Sequence, residues 1–244
     1  MTPFDLIGTK RYRGSPFSVP CPHCGSVATY QPERTNAFPS HASRGAVEYG
    51  GESQDVLQGT MFGECKCNNS DCQECTHFLA SYSTGFDDSE EPTVYPQMFV
   101  IKYFLPSIPF LRMPENTPEH VRKLLNRSFA PAFTDCSASG NLLRSSIEVI
   151  LTDRRVPRFV ISKRHRRRLT LHERIHILPT SLATHKERLL AAKWIGNTAS
   201  HDELSVSGLR VGYSIVEDLL EELYGTRAQE LDKVIRRINK RRRP

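Results

Sequence analysis

Leu190-Ala191-Ala192-Lys193-Trp194-Ile195-Gly196-Asn197-Thr198-Ala199-Ser200-His201 reads as the end of one amphipathic helix and holds the chain's only tryptophan. Lys193, Asn197 and His201 stand four residues apart, so their side chains share one helix face. Gly196 inside a helix costs about 1 kcal/mol relative to alanine, which points to close approach by a neighbouring helix. An ammonium, an amide and an imidazole in one row can hold a phosphate or form the polar layer of a helix–helix seam. Trp194 and Ile195 are expected to face the interior, with the polar row near Arg144 and Glu148.

Helices continue on both sides of this run. Pro118 and Glu119 start one, with Val121, Leu124, Leu125 and Phe129 as its apolar face. A second spans about Asp135 to Asp153, where Leu143, Ile147, Ile150 and Leu151 recur at helical spacing. Arg144 and Glu148 stand four apart on its outer side, the spacing of an ordinary ion pair. A short helix from Leu169 to Leu178 stops at Pro179. Ser181 or Thr184 is expected to cap the central helix. Downstream, Ser207 can cap a run with Leu209, Tyr213, Val216, Leu220 and Leu223 at core spacing, closed by Gly225. A last helix carries Leu231, Ile235 and Ile238 into Lys240-Arg241-Arg242-Arg243.

The N-terminal third has different chemistry. Six of the seven cysteines fall within residues 21–75. Cys21-Pro22-His23-Cys24-Gly25 is a tight knuckle that suits one tetrahedral ion. Its second half comes from Cys65-Lys66-Cys67-Asn68-Asn69-Ser70-Asp71-Cys72-Gln73-Glu74-Cys75, as Cys67 with Cys72 or Cys72 with Cys75, with Cys65 as a substitute. Structural zinc, Zn2+, is the cofactor expected; His23 and His77 are surplus once four thiolates bind. The segment has few apolar residues and is expected to need its metal to fold. Between the knuckles, residues 31–60 read as an insertion, with a hairpin around Ala46-Val47-Glu48-Tyr49. Phe78–Ser83 and Phe99–Leu105 read as strands, and Asp87–Pro92 as a solvated acidic turn.

The run from Leu190 to His201, with Leu142-Leu143-Arg144-Ser145-Ser146-Ile147-Glu148, resembles the signature of a bacterial family, domain of unknown function 4145. The resemblance covers roughly Tyr95 to Tyr224. Members look like HEPN helical domains, many of them metal-independent ribonucleases or inactive relatives, often with an N-terminal zinc-binding segment. Their C-x-N-x-x-C knuckle matches Cys67 and Cys72, which favours that pair. The active HEPN pattern is Arg-polar-x-x-x-His; here Gly196 stands where the arginine belongs, ahead of Asn197 and His201. The resemblance therefore implies a non-catalytic domain, with Arg144 as a partial stand-in. It also implies a homodimer and a place in bacterial anti-phage defence or restriction, beside a defence-system protein. If the site is active, His201, Asn197, Arg144, Glu148 and Lys193 are its candidates, in an endoribonuclease.

Charge gives the remaining expectation. The chain of 244 residues carries a formal net charge of +6. Lys163, Arg164, Arg166, Arg167 and Arg168 form one basic run, read as a loop, and Lys240, Arg241, Arg242 and Arg243 a second. Both suit a phosphate backbone, so nucleic acid is the expected partner; a protein-interaction adaptor is the alternative. No signal peptide and no membrane span is evident, so a cytoplasmic protein with no membrane partner is expected. The fold class that results is α+β, mainly α. A small zinc ribbon with a loop insertion covers residues 1–94, a proline-rich connector 95–117, and a HEPN-like bundle of five or six helices 118–244.

Overall fold

The computed structural model describes residues 2–48, 57–84, 97–162 and 165–241. The chain forms two compact units: Met1–Phe110 with Phe129–Cys136, and Leu111–Ser128 with Ser137–Pro244.

The first unit contains β1 (Arg11–Tyr12), β2 (Ser18–Pro20), β3 (Val27–Tyr30), β4 (Asn36–Pro39), α1 (His41–Glu48), β5 (Gln58–Cys67), β6 (Cys75–Thr84) and β7 (Gln97–Leu105). Its seven strands form one antiparallel sheet in the order β1-β7-β6-β5-β3-β2, with β4 added on β5. This is more than the small ribbon expected. Alternation along β6 sends Thr76, Phe78, Ala80 and Tyr82 inward, as the two-residue period of a strand requires. Phe17 stacks on Tyr30 with centroids 4.7 Å apart, and Phe78 stacks on Phe99 at 5.6 Å. A bulge at Leu79/Ala80 shifts the register, so Lys102 and Tyr103 both face solvent while Phe104 turns inward against Phe133. These rings give the unit an apolar core of its own, larger than the few apolar residues read from the sequence.

Around Ala46 the chain is helical, not a hairpin. The Ser40 hydroxyl accepts a hydrogen bond from the Ser43 amide, the mark of a helix N-cap directly after Pro39. Tyr49 and the acidic turn Asp87–Pro92 lie outside the described residues.

The second unit holds α2 (Glu119–Phe129, whose last residue belongs to the first unit), α3 (Cys136–Asp153), β8 (Phe159–Ser162), β9 (His165–Arg168), α4 (Leu171–His176), α5 (Lys186–His201), α6 (Val206–Tyr224) and α7 (Arg227–Arg241). Leu143, Ile147, Ile150 and Leu151 of α3 are buried, as are Leu209, Tyr213, Val216 and Leu220 of α6. Tyr213 carries polar chemistry into this core. Its hydroxyl donates to Ser128 Oγ (2.8 Å) and lies 2.9 Å from Ser139 Oγ, so no buried hydroxyl of the three is left unpaired.

Two caps differ from expectation. Ser205, not Ser207, caps α6 by accepting from the Gly208 amide, because that hydroxyl sits three residues ahead of the donor. A 3-10 turn over Thr180–His185 leads directly into α5, so neither Ser181 nor Thr184 is its cap. The basic run is likewise not a loop: Phe159–Ser162 pairs with His165–Arg168 as a hairpin.

Candidate metal centre, polar seam and basic hairpin

The β2–β3 turn and the β5–β6 turn meet because β3 pairs with β5, with Ala28 opposite Cys67. Gly25 takes a φ of +72°, which costs glycine little, and closes the first knuckle through a bond from its amide to the Cys21 carbonyl. In the second, the Asn69 amide donates to Cys67 Sγ and the Cys72 amide donates to the Asn69 carbonyl. Cys21, Cys24, Cys67 and Cys72 thereby place all four sulfurs within 4.8 Å of one another. Cys21 and Cys72 are 3.8 Å apart, Cys24 and Cys67 3.5 Å. Metal–sulfur bonds of about 2.3 Å at tetrahedral angles set edges of about 3.8 Å, so this donor set fits one tetrahedral ion.

The four sulfurs also perturb one another. Hydrogen bonds from Ser26 pull the Cys24 thiol down to about 6. At Cys72 a backbone hydrogen bond at Glu74 pulls down, but burial and the sulfurs of Cys24, Cys21 and Cys67 push it up to about 12. A thiolate at Cys24 thus discourages another beside it until a cation neutralises the group. Cys65 is pushed up to about 12 by burial, and Cys75, raised by burial, donates to Glu64 Oε1 at 3.3 Å. Neither alternate belongs to the cluster, nor does His23 or His77.

In the second unit α5 packs on α3 at Gly196. A Cβ at that position would lie 2.6 Å from Arg144 Cβ, so only glycine admits the arginine stem there. Arg144 Nη1 then donates to Asn197 Oδ1 at 2.5 Å, one turn before His201. The His201 side chain lies outside the described residues. Asn141 extends the seam by donating to the Ala199 carbonyl and accepting from Ser200 Oγ.

The other expected members go elsewhere. Lys193 is buried, with Nζ 3.4 Å from His172 Nδ1 and 3.5 Å from the centroid of the Trp194 ring. Burial, Lys193 and His176 lower the His172 pKa, since a second cation there is unfavourable. Trp194 is 57% exposed, not interior: α5 turns its small residues, Ala192, Gly196 and Ala199, toward its neighbours. Glu148 does not pair with Arg144. Its Oε2 accepts from Arg168 (3.2 Å), while its carbonyl accepts from Arg174.

Arg174 was not legible in the sequence. It is 3% exposed and also donates to Thr152 Oγ1 and the Val156 carbonyl, tying α4 to the end of α3. Nothing in its local pattern distinguishes a buried arginine from a solvated one.

At the hairpin, Arg167 makes two bonds to Glu173, 3.0 and 2.8 Å long. Glu173 also completes the capping box of Thr170; Arg167 first, then Thr170, hold its carboxyl down at about 2. Arg166 lies over the Phe159 ring at 3.9 Å. Lys163, Arg164, Arg242 and Arg243 lie outside the described residues. On α7, Arg236, Arg237, Lys240 and Arg241 are exposed, and so are Leu231, Val234, Ile235 and Ile238.

Comparison with known proteins bears on the helical part alone. Residues 126–241 match the family model of a domain of unknown function (DUF4145). The DUF4145 match takes in the Arg144–Gly196 seam, the hairpin and α7, and leaves out the four clustered cysteines. It starts later than the resemblance in the sequence suggests and runs past Tyr224. No curated protein and no solved structure matches the chain. Among the described residues, no helix is long and apolar enough to cross a membrane.

Proposed function

We propose that this chain is a non-catalytic nucleic-acid-binding and dimerisation module whose sheet is stapled by one structural zinc ion. The observation that carries the reading is the exposed cationic surface of the second unit. Arg166 on β9 and Arg236, Arg237, Lys240 and Arg241 on α7 are exposed with no carboxylate partner among the described residues. Phosphates are the natural counterpart of such groups, and releasing their counterions drives binding. The exposed stripe of Leu231, Val234, Ile235 and Ile238 supports self-association through α7.

Zinc is the ion the donor set favours, since soft thiolates at tetrahedral spacing select it over hard cations. Four thiolates leave no open position for substrate, so the ion would hold the two turns together and take no part in chemistry. A bacterial defence setting rests on the family resemblance alone.

The test is fluorescence anisotropy with labelled DNA and RNA. Replacing Arg236, Arg237, Lys240 and Arg241 with serine should weaken binding alike on all sequences and flatten its salt dependence. Unchanged binding by that variant would remove the basis of the reading.

One observation favours a second reading, a metal-independent ribonuclease. Arg144 fills the space over Gly196 and touches Asn197, where a cation would serve the phosphate of a reacting RNA. In that case His201→Ala should abolish RNA cleavage by the wild type while leaving the melting temperature unchanged.

A further inference from the structure

Two carboxylates clamp the root of the β8–β9 hairpin. Glu148 on α3 takes Arg168, and Glu173 on α4 takes Arg167. Beyond that root the arm is differently made. Phe159, Ile161, Arg166 and Arg168 share one face of the ribbon, because Phe159 pairs with Arg168 and Ile161 with Arg166. On this face Ile161 is 78% exposed, above every other large apolar side chain among the described residues. Next to it Arg166 sits over the ring of Phe159, itself 40% exposed. Arg158 and Arg166 have no carboxylate partner among the described residues, and residues 158–168 contain no Asp or Glu.

An apolar side chain held this far into solvent, opposite an exposed arginine on a ribbon anchored by its base, is built to meet a surface both anionic and apolar. Duplex DNA offers both in one place. Its major groove, about 12 Å wide, admits a two-stranded ribbon, with phosphates on both walls and thymine methyl groups on its floor. A-form RNA does not, because its major groove is deep and too narrow for side chains to read. An acidic protein would satisfy the arginines, but nothing in it would call for a groove-sized ribbon.

We propose that the β8–β9 hairpin enters the major groove of duplex DNA with its Phe159–Ile161–Arg166 face leading. This rests on the nucleic-acid reading above and narrows it to one class of ligand. Arg167 and Arg168 then position the arm through Glu173 and Glu148, while Arg158 and Arg166 are free to meet phosphates or guanine edges.

The experiment uses the full chain with its metal bound. Binding to a DNA duplex is compared with binding to an RNA duplex of the same sequence, and guanine N7, which lies in the major groove, is probed by dimethyl sulfate. The proposal expects tighter binding to the DNA duplex by about tenfold or more and protection of N7 within the bound site. Ile161→Ser should weaken DNA binding about fivefold or more and leave the salt slope unchanged, whereas Arg166→Ala should also lower that slope by about one. Both positions are exposed, and an unchanged thermal melt confirms folding. DNA binding without N7 protection, or at full strength in both variants, overturns the hairpin assignment and leaves the nucleic-acid reading standing. Full DNA binding by Ile161→Ser with loss of self-association in sedimentation would reassign the patch to a protein contact. Failure of the wild type to bind any nucleic acid overturns both readings.

Discussion

Cys72 in the β5–β6 turn and Cys75 at the start of β6 stand three residues apart, and the same change at each should have opposite consequences. Cys72 Sγ is 3.8 Å from Cys21 Sγ and belongs to the four-sulfur cluster; Cys75 donates to Glu64 and does not. Replacing Cys72 with serine removes one of four soft ligands. At free metal about a thousandfold above its dissociation constant, a bound ion contributes about 4 kcal/mol to stability, and most of that should disappear. For a unit of this size each kcal/mol is worth roughly 4 °C, so the melting temperature of the first unit should fall by about 15 °C. The aromatic core of Phe17, Tyr30, Phe78 and Phe99 remains, so the fall should stop short of unfolding at ambient temperature. Cys75→Ser loses one weak S–H donor, costs about 1 kcal/mol or less, and should keep about one metal per chain. Metal analysis and calorimetry with and without chelator read both quantities. Metal lost from Cys75→Ser but kept by Cys72→Ser would refute the assignment.

Three further outcomes follow from the second unit. Tyr213→Phe removes a buried hydroxyl shared by Ser128 and Ser139 and should cost about 1–2 kcal/mol in denaturant titration. Gly196→Ala forces the Arg144 stem away from α5; overpacking of about 1–3 kcal/mol should outweigh the gain of about 1 kcal/mol in helix propensity, giving a lower denaturant midpoint. Glu173 has its folded pKa held near 2 against 4.5 for the free group, so its stabilisation is present above about pH 4.5 and lost as pH falls through the folded value. A pH series of thermal melts should show that loss in the wild type, and Glu173→Gln should lack it.

The cysteine cluster was legible because ligand spacing is a local property, though the choice of Cys67 with Cys72 over Cys72 with Cys75 came from the family resemblance. Cys21-x-x-Cys24 and Cys67-x4-Cys72 each form within one turn, and strand pairing then has only to bring two turns together. Helix faces such as Leu143, Ile147 and Ile150 were legible for the same reason, periodicity within a single element. What failed was non-local. Trp194 is apolar at a core-like position, yet the core at α5 is made by its small residues and the arginine of another helix. Arg167 and Arg168 stood in the sequence only as part of a basic run, and the carboxylates that pair with them, Glu173 and Glu148, come from separate helices. The hairpin escaped notice because arginine is a poor strand signal; Phe159-Val160-Ile161, ending two residues before Lys163, was the clue.

The central claim is that the second unit is a cationic nucleic-acid surface, and the most direct measurement is the wild type's DNA affinity across a salt series. With about five phosphate contacts, log affinity should fall linearly with log salt at a slope of about −4 to −5, a loss of several hundredfold between about 50 and 200 mM. A flat dependence, or no binding at the lowest salt, would contradict it.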